Sequence, residues 1–264
     1  MNIILRELRS HLKSLIIWSL SIVFFIVMMV SEFSAYYHNP EMAQILDAMP
    51  QKMLEALSMA GANLTTVIGF ISMASVYFYL LLGIYSGLLG SSIISKEERD
   101  KTVEFFLTLP ISRARVIWSK LAAAVLLSLS LNLVIAITLY STTMKYDQGE
   151  NFNKFLFLMM LGIFIIQMIF MTVGMLLAAT LKRYKLSGMI SMSIIFGAYV
   201  LSIITALSKN LENLKYFTPF KFFEAGTLSR ELAFEPVYVI ISIGIILVSV
   251  IGTFVIYPKR DVHI

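Results

Sequence analysis

Six long apolar blocks dominate the chain, near 15–35, 65–94, 121–144, 155–181, 186–208 and 236–257. A helix needs about 20 apolar residues to cross the hydrocarbon of a bilayer. Each block meets that length, and only the first contains a charged residue, Glu32. The second and fourth blocks are long enough to tilt or to project beyond the bilayer. The pattern predicts an all-α, polytopic membrane protein: one transmembrane domain over 1–264 with six transmembrane helices.

Shorter amphipathic stretches lie between and before these blocks. In 1–14, Ile4, Leu8 and Leu12 recur every four residues, with Leu5 and Leu15 beside them and Arg6, Glu7, Arg9 and Lys13 on the remaining surface. This predicts an N-terminal interfacial amphipathic helix. A signal peptide is the alternative for 1–35, but the apolar run is too long for a signal core and no small-residue cleavage site follows it. In 36–64, Met42, Ile45, Leu46 and Met49, then Met53, Leu54 and Leu57, repeat at helical spacing around Pro50. Two short outer amphipathic helices are expected there. The segment 209–235 carries Tyr216, Phe217, Phe220, Phe222 and Phe223. Aromatic residues concentrate at membrane interfaces, so the segment reads either as an anchor or as an outer gate.

Composition agrees with a membrane protein. The chain of 264 residues is 58% hydrophobic and 14% charged, with a mean hydropathy of +0.83. It has no cysteine, which excludes a disulfide framework and any cysteine-based metal site. The net charge of +5 is unevenly distributed rather than spread as a nucleic-acid footprint. Of the lysines and arginines, 14 fall on the side that holds the N-terminus and 7 on the other. Positive charge collects on the cytoplasmic side, so both termini are expected in the cytoplasm of a bacterial plasma membrane.

No catalytic apparatus is visible. None of the 13 glycines is followed by lysine, which excludes a Walker A phosphate loop. Neither His-Glu-x-x-His nor Gly-x-Ser-x-Gly occurs, and His11, His38 and His263 are far apart. No catalytic, cofactor or metal site is therefore expected. Glu32, Asn132 and Gln167 are the carboxyl and amide side chains that fall within spans. Such residues either bond a neighbouring helix or line a path. Gly83 and Gly87 form a G-x-x-x-G with Gly90 one turn on, which predicts close helix packing inside the chain. The fifth block has Ser187, Ser191, Ala198, Ser202 and Ala206 at similar spacing.

The most distinctive stretch is 95–120, which holds ten charges between two oily blocks. Within it, 102–109 is expected to form a short helix that Pro110 ends. Val103, Phe106 and Leu107 share one face, with Phe105 and Leu109 beside them, and Glu104 and Thr108 lie toward the other. The bland reading is a solvated loop whose helix lies on lipid headgroups. The sharper one is a helix that docks in a pocket of another protein.

Glu97, Thr102, Glu104, Phe106, Leu107, Pro110, Ser112, Arg113 and Lys120 stand at or near the places of a loop motif. Through them the chain resembles the ABC-2 type transporter permeases, the membrane subunits of ATP-driven exporters. Lys101 and Ser119 occupy two positions where that motif has glycine. The Lys259-Arg260-Asp261 end and the span count extend the resemblance over the whole chain. It implies a coupling helix in 95–120, with Glu97, Thr102, Glu104, Phe105, Phe106, Leu109, Pro110, Ser112 and Arg113 contacting an ATPase subunit. It also implies a second permease copy or sibling, and ATP and Mg bound by the partner ATPase rather than by this chain. Membrane lipids are expected partners and nucleic acid is not.

The expected function is export of an amphipathic or hydrophobic cargo, since the spans are nearly free of charge. Glu32, Asn132, Gln167, Phe220 and Phe223 are candidates for its path or outer gate. The chain resembles small peptide-exporter permeases in size and plan, including those for phenol-soluble modulins, which favours an amphipathic toxin or antimicrobial peptide. A hydrophobic antibiotic or a lipid is the alternative cargo. A membrane scaffold or sensor is the alternative of another class, and an ion channel is disfavoured by the lack of charged rings or a filter loop.

Overall fold

A computed structural model describes residues 3–39, 41, 44, 48, 63–100, 112–181, 183–207 and 209–259. Those residues are almost wholly helical, and six of the helices are long and apolar enough to cross a membrane. They are α1 (Ile3–Phe33), α2 (Val67–Arg99), α3 (Arg113–Thr143), α4 (Phe152–Thr180), α5 (Tyr184–Leu207) and α7 (Pro236–Ile256). A short α6 (Ala225–Glu231) follows two 3-10 turns, Lys209–Phe217 and Pro219–Lys221.

Helix ends depart from the apolar blocks for local reasons. The amphipathic stretch 3–14 is not separated from the first span but forms the opening turns of α1. Its buried face takes in only part of the leucine stripe, with Ile4, Leu8 and Leu15 half-buried against the core. Ile3 and Glu7 are buried, whereas Leu5 and Leu12 are about half exposed. Helix α2 continues past its apolar block through Ser95, Lys96, Glu97, Glu98 and Arg99. The Thr66 hydroxyl caps its start by accepting from the Gly69 amide. Helix α3 begins two turns before its block, where the Ser112 hydroxyl accepts from the Arg115 amide. Helices α1, α2 and α3 have 31, 33 and 31 residues, or about 45–50 Å each. The hydrocarbon is about 30 Å thick. The excess collects where α1 starts, α2 ends and α3 starts.

Helices α2 and α4 are the most enclosed, and α1, α5 and α7 the least. The central pair touches through backbone. A Cβ on Gly90 would stand 2.0 Å from the Met171 carbonyl oxygen, and one on Gly174 would stand 2.5 Å from that of Gly87. Only glycine permits that approach. Helix α5 packs on α2, α7 on α4, and α1 on α3. The fifth-span serines turn toward α2: Ser187 and Ser191 are buried, and the Ser191 hydroxyl donates to the Gly87 carbonyl at 3.3 Å. Ile17, Phe24, Ile240 and Val248 remain exposed on the outer helices, as a lipid-facing surface requires.

At the opposite end the aromatic segment folds inward instead of lying across the surface. Phe220, Phe222 and Phe223 are buried, while Tyr216 and Phe217 are exposed. Phe220 meets Phe170 at 5.4 Å and Tyr199 at 5.9 Å, and Phe222 stacks on Tyr238 at 5.1 Å with the planes 12° apart. The Tyr79 hydroxyl donates to the Phe223 carbonyl (2.5 Å), Ser72 to that of Ala225 (3.3 Å) and Thr218 to that of Ala198 (2.7 Å). The outer stretch expected to hold Met42, Ile45, Leu46, Met49, Met53, Leu54 and Leu57 in two helices lies outside the described residues.

Candidate functional site: a buried charge cluster at the foot of the charged loop

The segment 101–111 joins α2 to α3 and lies outside the described residues, with Thr102, Glu104, Phe105, Phe106, Leu109 and Pro110 in it. Its two footings are described. On the α2 side, Glu97 is buried. Both its oxygens accept from the Lys120 ammonium of α3 at 2.9 Å. Lys120 is itself fully buried and donates also to the Ile93 carbonyl of α2. Helix α1 closes the cluster from a third side. Arg6 bridges Glu7 (2.9 Å) and Glu97 (3.1 Å). Lys96 reaches Glu7 at 3.3 Å, and Lys120 lies 3.8 Å from it.

Three cations and two carboxylates from α1, α2 and α3 therefore meet within one shell. Burying a single charge costs several kcal/mol unless it is paired and hydrogen-bonded. Here the pairing is mutual, so the three helix ends are held as a unit. On the α3 side of the loop, Ser112 caps the helix, and the Arg113 guanidinium donates to the Pro258 carbonyl at 2.6 Å, beyond the end of α7. Asp100 sits at the last described position before the loop. The hydrogen bond from the Arg99 guanidinium beside it holds its carboxyl below the ordinary aspartate value.

The remaining candidates are scattered. Glu32 is exposed in the last turn of α1. The Asn132 amide of α3 donates to the Gln167 oxygen of α4 at 2.7 Å. Both side chains are buried, and Asn132 Oδ1 and Gln167 Nε2 find no hydrogen-bond partner among the described residues. Phe220 and Phe223 belong to the aromatic packing that folds in from the other end of the bundle, with Phe220 reaching Phe170 and the mid-helix Gly83. The structure brings Asn132 and Gln167 together but joins neither to Glu32 or to the charge cluster.

The sequence model of the ABC-2 family transporter proteins matches residues 1–262. The chain belongs to that family. It is also similar to YdbK, an uncharacterized membrane protein of Bacillus subtilis (strain 168), with 25% identity over 213 residues, 70% of this chain and 79% of YdbK. The protein is thus a membrane permease of the ABC transporter kind: the transport subunit, not itself the ATPase. Such permeases generally work with an ATPase subunit.

Seen as a permease, the cluster holds Lys120 and Glu97, both part of the loop motif, at the foot of the motif they belong to. Glu7, Arg6 and Lys96 were not legible as partners. The only available signal was that Glu7 follows Ile3 by four residues, which puts it on the same helix face.

Proposed function

We propose that this chain forms the membrane-spanning half of an ATP-driven exporter. Two copies, or this chain and a sibling, would work with two ATPase subunits on the cytoplasmic side of the bacterial plasma membrane, where both termini lie. The helix at 102–109 docks on the ATPase through Phe105 and Phe106. Its displacement on ATP binding moves the ends of α2 and α3, and α1 follows because Glu7 and Arg6 tie it to them. The observation that carries this reading is the Lys120–Glu97–Glu7–Arg6 cluster, which converts a push on one loop into motion of three helices. Switching of this kind needs two states that the ATPase contact biases differently.

The cargo is amphipathic or hydrophobic, and an amphipathic toxin or antimicrobial peptide fits best. The support is chemical. The described spans are walled by apolar side chains, and the buried polar pair well inside them, Asn132 and Gln167, is uncharged. A hydrophobic antibiotic or a lipid shares that chemistry. A screen for compounds that stimulate ATP hydrolysis by the reconstituted complex separates the two.

The test of coupling is Phe106→Ala. An aromatic anchor in a pocket contributes about 2 kcal/mol or more, or roughly a 30-fold change in affinity. Detergent-solubilised Phe106→Ala should retain the wild-type melting profile yet lose most of the ATPase subunit in pull-down, and cells carrying it should export poorly. Wild-type pull-down and wild-type export would return 102–109 to a helix resting on headgroups. A failure of the wild-type chain to capture any ATPase would favour the scaffold or sensor reading.

A further inference from the structure

Helix α7 is engaged at both of its ends. It has 21 residues, so it is about 30 Å long and matches the hydrocarbon without the excess of α1, α2 and α3. Pro236 opens it at the first helical position, and no proline interrupts it afterwards. At the end with the charge cluster, two contacts tie α7 to the start of α3. The Arg113 guanidinium donates to the Pro258 carbonyl at 2.6 Å, and the Trp118 ring lies against Phe254 at 5.0 Å with the planes 51° apart. Both α3 residues stand in its first two turns, directly after the charged loop. The guanidinium reaches the place where helix-ending carbonyls lack intrahelical partners and the helix dipole is negative. At the opposite end, buried Tyr238 in the first turn of α7 stacks on Phe222 of the aromatic segment and meets Tyr216 at 5.9 Å.

Between those ends α7 is the least enclosed of the six long helices. Ser242 and Thr253 are buried against the bundle, yet their hydroxyls donate to carbonyls of their own helix, those of Tyr238 (2.7 Å) and Ser249 (2.8 Å). Neither hydroxyl locks α7 to α4. The contrast is with α2, which meets α4 backbone to backbone at Gly90 and Gly174 and cannot slide without unpacking. Small sliding of packed helices is an ordinary form of conformational change. Distant sites are coupled through packed side chains and rigid elements that have two arrangements. A stiff helix held at both ends and loosely seated between them has that character.

We propose that α7 is a strut that carries displacement of the charged loop to the aromatic segment at the far end by sliding along α4. Arg113 and Trp118 are the positioning residues at its loop end, and Tyr238 is the one at the other. What drives the strut rests on the coupling role given to the loop above, whereas the mechanical link between its two ends is a property of this chain alone.

The test has two arms, both read by amide hydrogen exchange of the full-length protein in detergent. The first needs no ATPase and compares the wild type with Trp118→Ala/Phe254→Ala. Loss of the aromatic pair should make amides of 219–235 exchange about three- to tenfold faster. The turn 145–151, at the same end of the bundle but packed on Phe33 and Tyr37, should keep its rate. Arg113→Ala should act in the same direction, and Arg113→Lys, which keeps a cationic donor, should restore most of the protection. Unchanged exchange at 219–235, or an equal acceleration at 145–151, overturns the strut. Should the double variant fail to fold, Phe254→Leu is read in the same way. The second arm adds the ATPase subunit. ATP should change exchange at 219–235 in the wild-type complex, and Trp118→Ala/Phe254→Ala should capture the subunit equally well but lose most of that change. No response at 219–235 in the wild type, or a full response in the variant, overturns the strut and leaves the docking of 102–109 intact. Failure of the wild type to capture the subunit sinks that docking instead, and the first arm still decides the strut.

Discussion

Desolvating a lysine ammonium costs several kcal/mol, and Lys120 is fully buried. Its position is tenable only because Glu97, the Ile93 carbonyl and the nearby Glu7 surround it. Removing the cation alone would leave two carboxylates short of charge in a closed space. Lys120→Met should therefore destabilise the protein by about 3–5 kcal/mol, the usual cost of breaking a buried pair from one side. Lys120→Met combined with Glu97→Gln should recover part of that loss, since Glu7 still has Arg6 and Lys96. Thermal unfolding in detergent, followed by circular dichroism, reads both. A Lys120→Met protein that melts with the wild type would show that the cluster does not bind the three helices together. This pairing was hidden in the sequence for a plain reason. Glu97 and Lys120 are both conspicuous in the charged loop, yet their 23-residue separation says nothing of contact until α2 and α3 are both extended beyond their apolar blocks. Glu7 was further obscured, because the leucine stripe beside it, half-buried at Ile4 and Leu8, drew the reading to a different face of the helix.

Among the elements, the six spans were legible because hydropathy alone identifies a segment that must satisfy its own backbone in lipid. Their ends were not, since α2 and α3 continue on charged residues that hydropathy counts as loop. The inward fold of the aromatic segment was not legible for a related reason. Aromatics are common both at interfaces and in cores, and Phe220, Phe222 and Phe223 are held inside by hydrogen bonds such as Tyr79 to the Phe223 carbonyl that leave no trace in the sequence pattern. The glycine motif was read correctly as packing within the chain, and it supports a sharp contrast. Gly90→Val should separate α2 from α4 at a cost at or above about 1–3 kcal/mol, because its Cβ has only the Met171 backbone to push against. Gly197→Ala, in α5 with nothing within 4 Å of the new methyl, should be neutral or stabilising by up to about 1 kcal/mol. Size-exclusion profiles after a heating step compare the two. Equal losses would mean that helix propensity rather than backbone approach governs these sites.

For the molecule as a whole, the decisive quantity is which end faces the cytoplasm. The end with the charge cluster also carries Arg9, Lys13, Arg99, Arg113, Arg115, Arg183, Lys185 and Lys259. That concentration of cations is what the positive-inside bias acts on, and the 14-to-7 count extends it over the full chain. The absence of native cysteine makes the orientation directly measurable. Glu150 lies exposed in the turn between α3 and α4, at the opposite end of both helices from Lys120. A cysteine at Glu150 should react with a membrane-impermeant maleimide added to intact cells, and one at Lys101 should react only after the membrane is opened. The reverse pattern would place the loop of Phe105 and Phe106 outside, where no ATPase subunit could reach it, and the coupling proposal would fail with it.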